Sequence, residues 1–377
     1  MVTYRKARPQ ERTAYIVFAD MVFSNSGDPI SFEKSIPKVY GAHIDSAEMQ
    51  YIGIDEEKGI RGLVAVMPNE MYLGNEMLTV GYIGTVSVHP EARGEGHMKA
   101  LMKMAIREME EKGVDISLLG GQRQRYEYFG FAKSGISVQV DVSEPNVRHA
   151  LKNVDAGNVT FEEIGHDSPW LKPAHALFEK RFIRFRRDID AFVDCCRNYL
   201  TQLWAILDDG EFVGYLVCNG EKNGFSEICT VSVDALDKAI KAWIVQGKST
   251  RVTMMFAPWE REALRRLGTY AGGMRVQTSV QASVLNPRRV LKAMLTAKAA
   301  YAKLENAGMC FEIEGDRFTV TVKDGAVGIA DGGENPICLS RLAASQLFGD
   351  PFDYEDRPET PDGWFPLPIY EASPDAF

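Results

Sequence analysis

The sequence predicts an α/β (α+β) protein built from two similar units and a third, smaller α+β unit. Three observations lead to this prediction: a strand, glycine-rich loop, helix and strand from Thr85 to Leu119, a second copy of this order in residues 203–269, and short alternating strands after Asn286-Pro287. Strands that alternate with helical patterns are typical of sheets covered by helices. With 377 residues and 45% hydrophobic composition, the chain is long enough for two or three domains.

The net charge of the chain limits the classes of partner that it is expected to bind. A net charge of −9 and a pI near 5.4 argue against nucleic acid or an anionic membrane surface and are compatible with a cationic substrate. No stretch approaches the ~20 apolar residues that a membrane helix needs, and the first twelve residues have no apolar core. The six cysteines lack metal-ligand spacing, so we expect free thiols, no metal and a cytoplasmic protein.

The central motif is residues 85–98, TVSVHPEARGEGHM. Val86 and Val88 alternate as a strand end, and Arg93 to Gly96 form a loop whose glycines leave backbone N–H groups uncovered. The first N–H groups of a helix have no intrahelical partner and carry the positive end of its dipole. The motif therefore predicts an anion site that suits a pyrophosphate, with an ordinary surface turn as the alternative.

The residues around this motif predict the rest of the first unit. A helix over residues 11–23 and a hairpin of strands at 51–54 and 63–67 precede it. A helix that ends at Lys112-Gly113 and a buried strand at 116–119 follow it. In the first helix, Asp20 either attracts a cationic amine or is a solvated carboxylate.

The second unit repeats this pattern. Leu203–Cys218 follows the pattern of Tyr51–Val66, and Thr230–Val233 restates Thr85–Val88. A helix over residues 235–245 and a strand over 252–256 come next in the same order. The chain thus contains a duplicated domain.

The second copy lacks the residues that carry chemistry in the first. Asp234-Ala235-Leu236-Asp237 stands in place of the glycine loop, and Leu264 stands where the first copy has Tyr126. We therefore predict that the second copy is structural, covering the sheet of the first copy or walling its cleft.

Two further segments resemble functional motifs. Gly247–Thr250 resembles the end of a P-loop, but Ala242 stands where a glycine is required, so we do not predict nucleotide binding there. Lys180–Arg187, KRFIRFRR, mixes bases and aromatics as nucleic-acid surfaces do. Phe178, Phe182, Phe185 and Ile189 are spaced for one helix face, which predicts a helix with the basic residues on its solvated side.

The last part of the chain predicts a helix over residues 288–306, a small meander of strands and a closing helix over 339–348. The tail from Pro351 onward is rich in proline, aspartate and aromatic residues. Its apolar side chains predict that it is held against the protein: Trp364, Phe365, Leu367, Ile369, Tyr370 and Phe377.

The first unit resembles the core of the GNAT acyl-CoA N-acetyltransferases. Their signature of Gln or Arg, two residues, Gly, one residue and then Gly or Ala maps to Arg93, Gly96 and Met98, where Met98 departs from it. Bulky residues followed by a basic one, as in Met98-Lys99, are found in the Eis (enhanced intracellular survival) acetyltransferases. Over nearly its whole length the chain resembles that family: a GNAT domain, a degenerate copy and a sterol carrier protein-like domain.

The resemblance implies a catalytic domain in residues 1–142, a degenerate GNAT-like domain in 143–285, and a sterol carrier protein-like domain in 286–377 whose tail reaches the active site. It also implies acetyl-CoA as co-substrate, an amine acceptor of aminoglycoside-, polyamine- or lysine-like chemistry, and a hexamer. The residues expected to hold acetyl-CoA are Val86, Ser87, Val88, Arg93, Gly94, Glu95, Gly96, His97, Met98 and Lys99.

Direct transfer needs a proton donor for the departing thiolate and a base for the amine. Tyr126 stands three residues before a Phe-Gly-aromatic segment, and it is either the donor or a packed aromatic. By resemblance the α-carboxylate of Phe377 is the base, with a surface-packed tail as the alternative. We expect Tyr128 to serve packing and the two histidines of the loop, His89 and His97, to be exposed or capping.

A non-catalytic function stays open at this point. The third unit could carry an apolar ligand, or the first could sense acyl-CoA without turnover. The residues specify neither the acceptor amine nor the length of the acyl chain.

Overall fold

The computed structural model describes residues 1–24, 29–352 and 358–377, so residues 353–357 of the predicted tail lie outside the described part. Its strands form three sheets. The strands of the first sheet are β1 (Val2–Lys6), β2 (Gln50–Asp55), β3 (Gly59–Leu73), β4 (Glu76–Val88), β5 (Ile116–Leu119), β6 (Ala132–Ser134), β9 (Ile183–Phe185) and β15 (Val280–Val284). The predicted mixed fold is confirmed.

The remaining strands form two other sheets. The strands of the second sheet are β7 (Ser137–Ser143), β8 (Val159–Glu163), β10 (Gln202–Asp208), β11 (Glu211–Cys218), β12 (Gly224–Thr230), β13 (Arg251–Phe256) and β14 (Gly273–Gln277). Those of the third are β16 (Ala307–Ile313), β17 (Asp316–Lys323), β18 (Ala326–Asp331) and β19 (Ile337–Leu339).

The helices cover and connect these sheets. They are α1 (Arg12–Ser24), α2 (Phe32–Ser35), α3 (Pro37–Tyr40), α4 (His97–Glu111), α5 (Arg123–Tyr126), α6 (Glu144–Ala150), α7 (Leu171–Phe178), α8 (Ile189–Cys196), α9 (Val233–Val245), α10 (Arg261–Leu267), α11 (Pro287–Ala299) and α12 (Arg341–Gly349). None of the described helices is long and apolar enough to cross a membrane.

The first sheet has the order β1-β2-β3-β4-β5-β15-β6, with β9 paired to β3. Neighbouring strands are antiparallel except β4 and β5, which are parallel and joined by α4. A parallel pair of strands needs such a crossover connection. The crossover helix α4 packs its apolar stripe on the sheet. The buried residues of that stripe are Leu101, Met102, Ala105, Ile106 and Met109.

The second sheet has the same local order. β10, β11 and β12 are antiparallel, α9 follows, and β13 returns parallel to β12. Three strands lie across the predicted limits, because β7 pairs in the second sheet, whereas β9 pairs with β3 and β15 pairs with β5 and β6 of the first sheet. The ranges 1–142, 143–285 and 286–377 therefore stay predictions, since sheet membership is not contiguous in the chain.

The third sheet, order β18-β17-β16-β19, packs with α11 and α12 around aromatic residues. Phe311, Phe318 and Phe348 are fully buried there. The first helix of this unit ends at Ala299, earlier than predicted. In the tail, Trp364 is fully buried, which confirms that the tail is held against the protein.

The prediction of one helix through Lys180–Arg187 is wrong. The helix α7 ends at Phe178, and residues 183–185 form β9, which pairs antiparallel with β3. The basic side chains are not all solvated either, because Arg187 is 3% exposed and ion-paired. Hydrophobic spacing of three and four residues suggested a helix, but pairing with an available sheet edge decided the structure.

Candidate active site

The strand β4 changes its pairing where the central motif begins. It pairs with β5 only from Val80 to Ile83, where β5 ends. On its other side the register with β3 shifts, and Thr85 has φ of +51°, a left-handed conformation that is rare for a β-branched residue. Beyond Ile83 the β5-facing edge of β4 therefore has no strand partner among the described residues.

The glycine loop leads directly from this open edge into α4. Gly94 and Gly96 have φ of +87° and +86°, and a side chain at either position would be strained by the backbone alone. Gly96 is the N-cap of α4, and the first helix N–H with a backbone acceptor is that of Ala100, which donates to Gly96 at 3.1 Å. The earlier N–H groups of the first turn thus lack a backbone acceptor in the described chain.

The open edge and the loop border one cleft of about 740 Å³. Its size is typical of small-molecule sites. Nine of the ten residues predicted to hold acetyl-CoA line it, namely Val86, Ser87, Val88, Arg93, Gly94, Gly96, His97, Met98 and Lys99. Glu95 does not line the cleft and instead accepts a contact from Nε2 of His97 at 3.0 Å. Residues 22–23 of α1, Ala92, Arg125, Tyr128 and Phe129 complete the lining.

Three polar residues near the cleft have structural partners. His97 is 4% exposed and its Nδ1 lies 2.8 Å from the Tyr4 hydroxyl, so the expectation of an exposed or capping residue is wrong for it. The ring of His89 accepts from the Glu91 N–H at 3.3 Å, as a capping residue would. Oδ1 of Asp20 accepts from the Phe32 N–H at 2.8 Å, so one of its carboxylate oxygens has a partner within the protein.

The C-terminal residue lies against β4 beside the open edge. Phe377 is 6% exposed and its ring contacts those of Tyr40 and Tyr82, with centroids 6.2 and 6.4 Å apart. A Cβ added to Gly84 would come within 2.7 Å of the Phe377 ring and 2.9 Å of its carboxyl carbon. The carboxyl carbon of Phe377 therefore lies next to the point where β4 stops pairing with β5, and the absence of a side chain at Gly84 makes room for it.

The close approach at Gly84 makes a prediction. We expect Gly84→Ala to displace Phe377 and lower kcat about tenfold or more, because misplacement by about 1 Å can cost 10²-fold. The affinity for acetyl-CoA should stay within about threefold. Gly308→Ala is the control, because an added Cβ there meets nothing closer than 3.6 Å. Steady-state rates and calorimetry decide it, and an unchanged kcat in Gly84→Ala would remove Phe377 from the reaction.

Tyr126 and Tyr128 occupy different places. Tyr128 is 62% exposed and lines the cleft, with Nζ of Lys99 4.4 Å from its ring centroid. Tyr126 is 7% exposed, packs edge-on against Phe131, and is absent from the cleft lining. Burial raises the pKa of Tyr126, with a smaller opposing effect of Arg125, so its hydroxyl is protonated at neutral pH.

Sequence reasoning missed Tyr40 and Tyr82, whose rings contact Phe377, and the partners of their hydroxyl groups. The Tyr40 hydroxyl donates to Oγ1 of Thr85 at 2.7 Å, and the Tyr82 hydroxyl donates to Glu371. Burial raises the pKa of Glu371 to about 8. Lys38 is nearby and donates to the Pro374 carbonyl at 2.8 Å. These residues lie far apart in sequence and form no motif, so no local signal could have found them.

The second copy has no comparable open loop. Its helix α9 is capped by Ser232, whose Oγ accepts from the Ala235 N–H at 3.1 Å. Asp237 is 1% exposed and accepts from Arg266 at 2.6 Å and from the Tyr270 hydroxyl at 2.8 Å. Its helix start is therefore occupied by the protein's own groups. Among the described residues, no group of three or more His, Cys, Asp or Glu is arranged to hold a metal ion.

Comparisons with known proteins agree with this geometry. Residues 3–133 match the family model of the acetyltransferase (GNAT) domain. No curated protein sequence matches the chain.

Solved structures extend the likeness in fold to nearly the whole chain. One is a GCN5-related N-acetyltransferase from Anabaena variabilis, with 16% identity, a TM-score of 0.67, and coverage of 93% of this chain and 91% of that one. A GCN5-related N-acetyltransferase from Kribbella flavida has 14% identity, a TM-score of 0.66 and coverage of 92% and 89%. Eis1 from Mycobacterium abscessus has 12% identity, a TM-score of 0.62 and the same coverage. Residues 3–133 thus match an acetyltransferase (GNAT) domain, and the likeness in fold to these solved structures covers nearly the whole chain.

Proposed function

We propose that this enzyme transfers an acetyl group from acetyl-CoA directly to an amine, in the cleft between the open edge of β4 and the start of α4. The observation that carries the proposal is this cleft, where a strand edge without a partner meets a helix start whose N–H groups lack backbone acceptors. A strand edge pairs with amide groups, and a helix start binds phosphate. The pantetheine arm of acetyl-CoA presents such amide groups, and its pyrophosphate presents the phosphates.

The residues would divide the binding of the co-substrate between them. Backbone N–H groups from Gly94 to Lys99 hold the pyrophosphate, with the Arg93 guanidinium as a further cation in the lining. Backbone groups of Val86 and Val88 pair with the pantetheine arm and polarise the thioester carbonyl. Glu95 supports this site indirectly, since its partner is His97 at the start of α4.

Two proton transfers complete the reaction. The amine nitrogen attacks the thioester carbonyl carbon, the carbon–sulfur bond breaks, and the leaving thiolate takes a proton that we assign to the Tyr126 hydroxyl. Because Tyr126 lies outside the present cleft lining, this transfer needs a shift of its ring or a bridging water. The carboxylate of Phe377 accepts the proton that the amine loses. Its position against Gly84 supports this role, because Gly84 lies directly before the strand edge expected to hold the thioester.

A separate cavity beside the tail, which shares no lining residue with the cleft, offers polar groups to an acceptor that carries further hydrogen-bonding groups. The cavity has a volume of about 250 Å³ and is bordered by Glu371, Ala376 and Ser137. Ser137 is 2% exposed, and its hydroxyl has no partner among the described residues. Aminoglycoside- and polyamine-like amines have the donors that such a site would accept. The choice between them and a lysine side chain requires an acceptor screen with detection of the released thiol.

No observation favours the alternative of a lipid or acyl-CoA carrier. Phe311, Phe318 and Phe348 fill the interior of the third unit, and their rings contact one another. We infer that this unit is sterol carrier protein-like in its order of elements, and that the second unit is a degenerate GNAT copy. The free cysteines fit a cytoplasmic protein, and the hexamer that the resemblance implies is tested by its mass in solution.

The proposal predicts one acetyl-CoA per chain and a charge effect at Gly96. Gly96→Asp should weaken acetyl-CoA binding roughly 10- to 100-fold, because it places a carboxylate where the pyrophosphate binds. Gly96→Asn is the matched control, since asparagine has the same shape, tolerates a left-handed backbone and carries no charge. Calorimetry measures both. A stoichiometry near two, or equal affinities of the two variants, would contradict this assignment of the site.

A further inference from the structure

The tail is held at its end by side chains from outside it. Lys38 Nζ donates to the Pro374 carbonyl at 2.8 Å. Arg187 donates from Nε and Nη2 to the two carboxylate oxygens of Asp375, at 2.7 and 2.9 Å. Asn198 Nδ2 donates to the carbonyl oxygens of Ser373 and Ala376, at 3.2 and 2.7 Å. All these bonds lie within four residues of Phe377.

The Arg187–Asp375 pair is buried and bidentate. The Arg187 side chain is 1% exposed and that of Asp375 is 7% exposed. Arg187 also contacts Glu227 at 2.9 Å. Burial raises the pKa of the Glu227 carboxyl group, but the nearby guanidinium groups of Arg187 and Arg181 outweigh this effect and lower the pKa to about 2. A bidentate contact of this kind fixes geometry as well as distance. Asp375 is therefore oriented by a guanidinium that is itself held by a second carboxylate.

Asn198 is directed wholly at the tail. It is fully buried, its Nδ2 makes the two bonds to tail carbonyls, and its Oδ1 has no partner among the described residues. Tyr199 and Leu200 follow with φ of +55° and +61°, which is a strained backbone for two successive residues with side chains. The polar groups of this side chain thus contribute only to holding the tail.

Two of the three side chains that hold the tail, the anchors Arg187 and Asn198, come from outside the GNAT domain of residues 3–133, whereas Lys38 lies within it. Arg187 precedes α8 and Asn198 follows it, so the tail crosses the ends of one helix of the second unit. We propose that Arg187 and Asn198 are positioning residues for acetyl transfer, which hold residues 373–376 so that Phe377 stays against β4. The second unit, which lacks the glycine loop, then contributes to the reaction by placing the tail. This inference rests on the proposed role of the Phe377 carboxylate.

The test compares anchor variants with a matched variant of the same ion network. Asn198→Ala and Arg187→Lys should each lower kcat about tenfold or more, with the dissociation constant of acetyl-CoA unchanged within threefold. Arg181→Lys is the control, because Arg181 contacts Glu227 at 2.8 Å and Glu260 at 3.2 Å and makes no hydrogen bond to the described residues of the tail. Thermal unfolding shows which variants fold, and Asn198→Ala keeps the test valid if Arg187→Lys does not.

The pH profile separates positioning from general damage. If the anchors act through the base, the anchor variants should regain activity as the pH rises towards the pKa of the amine, about 10, because a neutral amine needs no base before attack. Arg181→Lys should show no such recovery. Equal losses of kcat in Arg181→Lys and the anchor variants, or full kcat in Asn198→Ala and Arg187→Lys, would overturn the inference.

A double variant distinguishes this inference from the proposed function. In a chain extended beyond Phe377, Asn198→Ala should lower the residual rate less than about twofold, because both changes remove the same group from its place. Independent, multiplying losses would overturn the anchoring. Full activity of the extended chain by itself would overturn the assigned base, whereas an inactive extended chain beside a fully active Asn198→Ala variant would overturn the anchoring alone.

Discussion

Extension of the chain beyond Phe377 by a Gly-Ser dipeptide is expected to reduce acetyl transfer about 10²- to 10⁴-fold, which is the usual contribution of a general acid or base. The extension replaces the terminal carboxylate by a neutral peptide group. It also adds atoms where Phe377 is 6% exposed and already in close contact with Gly84. Acetyl-CoA binding should persist, since the cleft that would hold it is lined by β4, α4 and their neighbours and not by the tail.

The chemistry of the base sets the pH dependence of this result. A terminal carboxyl group has an unperturbed pKa of about 3.3–3.7, so it is ionised at neutral pH, while an acceptor ammonium near pKa ~10 gives up its proton to it only at a cost. Partial burial raises the first pKa and lowers the second, which narrows the gap. Without the carboxylate, the residual rate should rise with pH as the amine becomes neutral.

The control for the extension is the same dipeptide placed before Met1, which is fully exposed. Its kcat should equal that of the original chain. The mass of the intact protein verifies that Phe377 is the last residue in the enzyme that is assayed. Full activity of the C-terminally extended form on an acceptor that the original form uses would rule out the terminal base.

Much of the first unit could be predicted because its signals are local. The apolar spacing after Gly96 specified a helix, and α4 begins at His97 as that spacing implied. The alternation before His89 specified the end of β4. The positive φ angles of Gly94 and Gly96 agree with the reason for expecting glycine in the loop, because both positions demand a left-handed backbone.

The anchors of the tail could not be predicted because their partners are distant. Arg187 was expected on a solvated helix face, yet its partners are Glu227 and Asp375, 40 and 188 residues away in sequence. Whether a side chain such as Arg187 is buried depends on which distant segments the fold brings together. The periodic pattern of one segment carries no information about its distant partners. The same limit hid the conformation of Thr85, since a strand pattern does not show where pairing stops.

The second large effect is expected at Tyr126. Tyr126→Phe should lower kcat about 10²- to 10⁴-fold and leave acetyl-CoA affinity nearly unchanged, because the hydroxyl is needed when the thiolate leaves and not in the bound ground state. The raised pKa of Tyr126, caused by burial, keeps its proton available across the neutral range. The ring stays packed against Phe131 in the variant, so the fold should be retained.

Tyr128→Phe is the matched comparison, because Tyr128 is the tyrosine of this segment that lines the cleft, whereas Tyr126 does not line it. The pair of variants therefore shows which hydroxyl supplies the proton. If the proton reaches the thiolate from Tyr126, Tyr128→Phe should retain kcat within about threefold. Turnover measured by thiol release, with calorimetric affinities for acetyl-CoA, distinguishes the two tyrosines. A large loss in Tyr128→Phe together with a loss below about tenfold in Tyr126→Phe would assign the proton donor to the exposed tyrosine and leave Tyr126 as a packing residue.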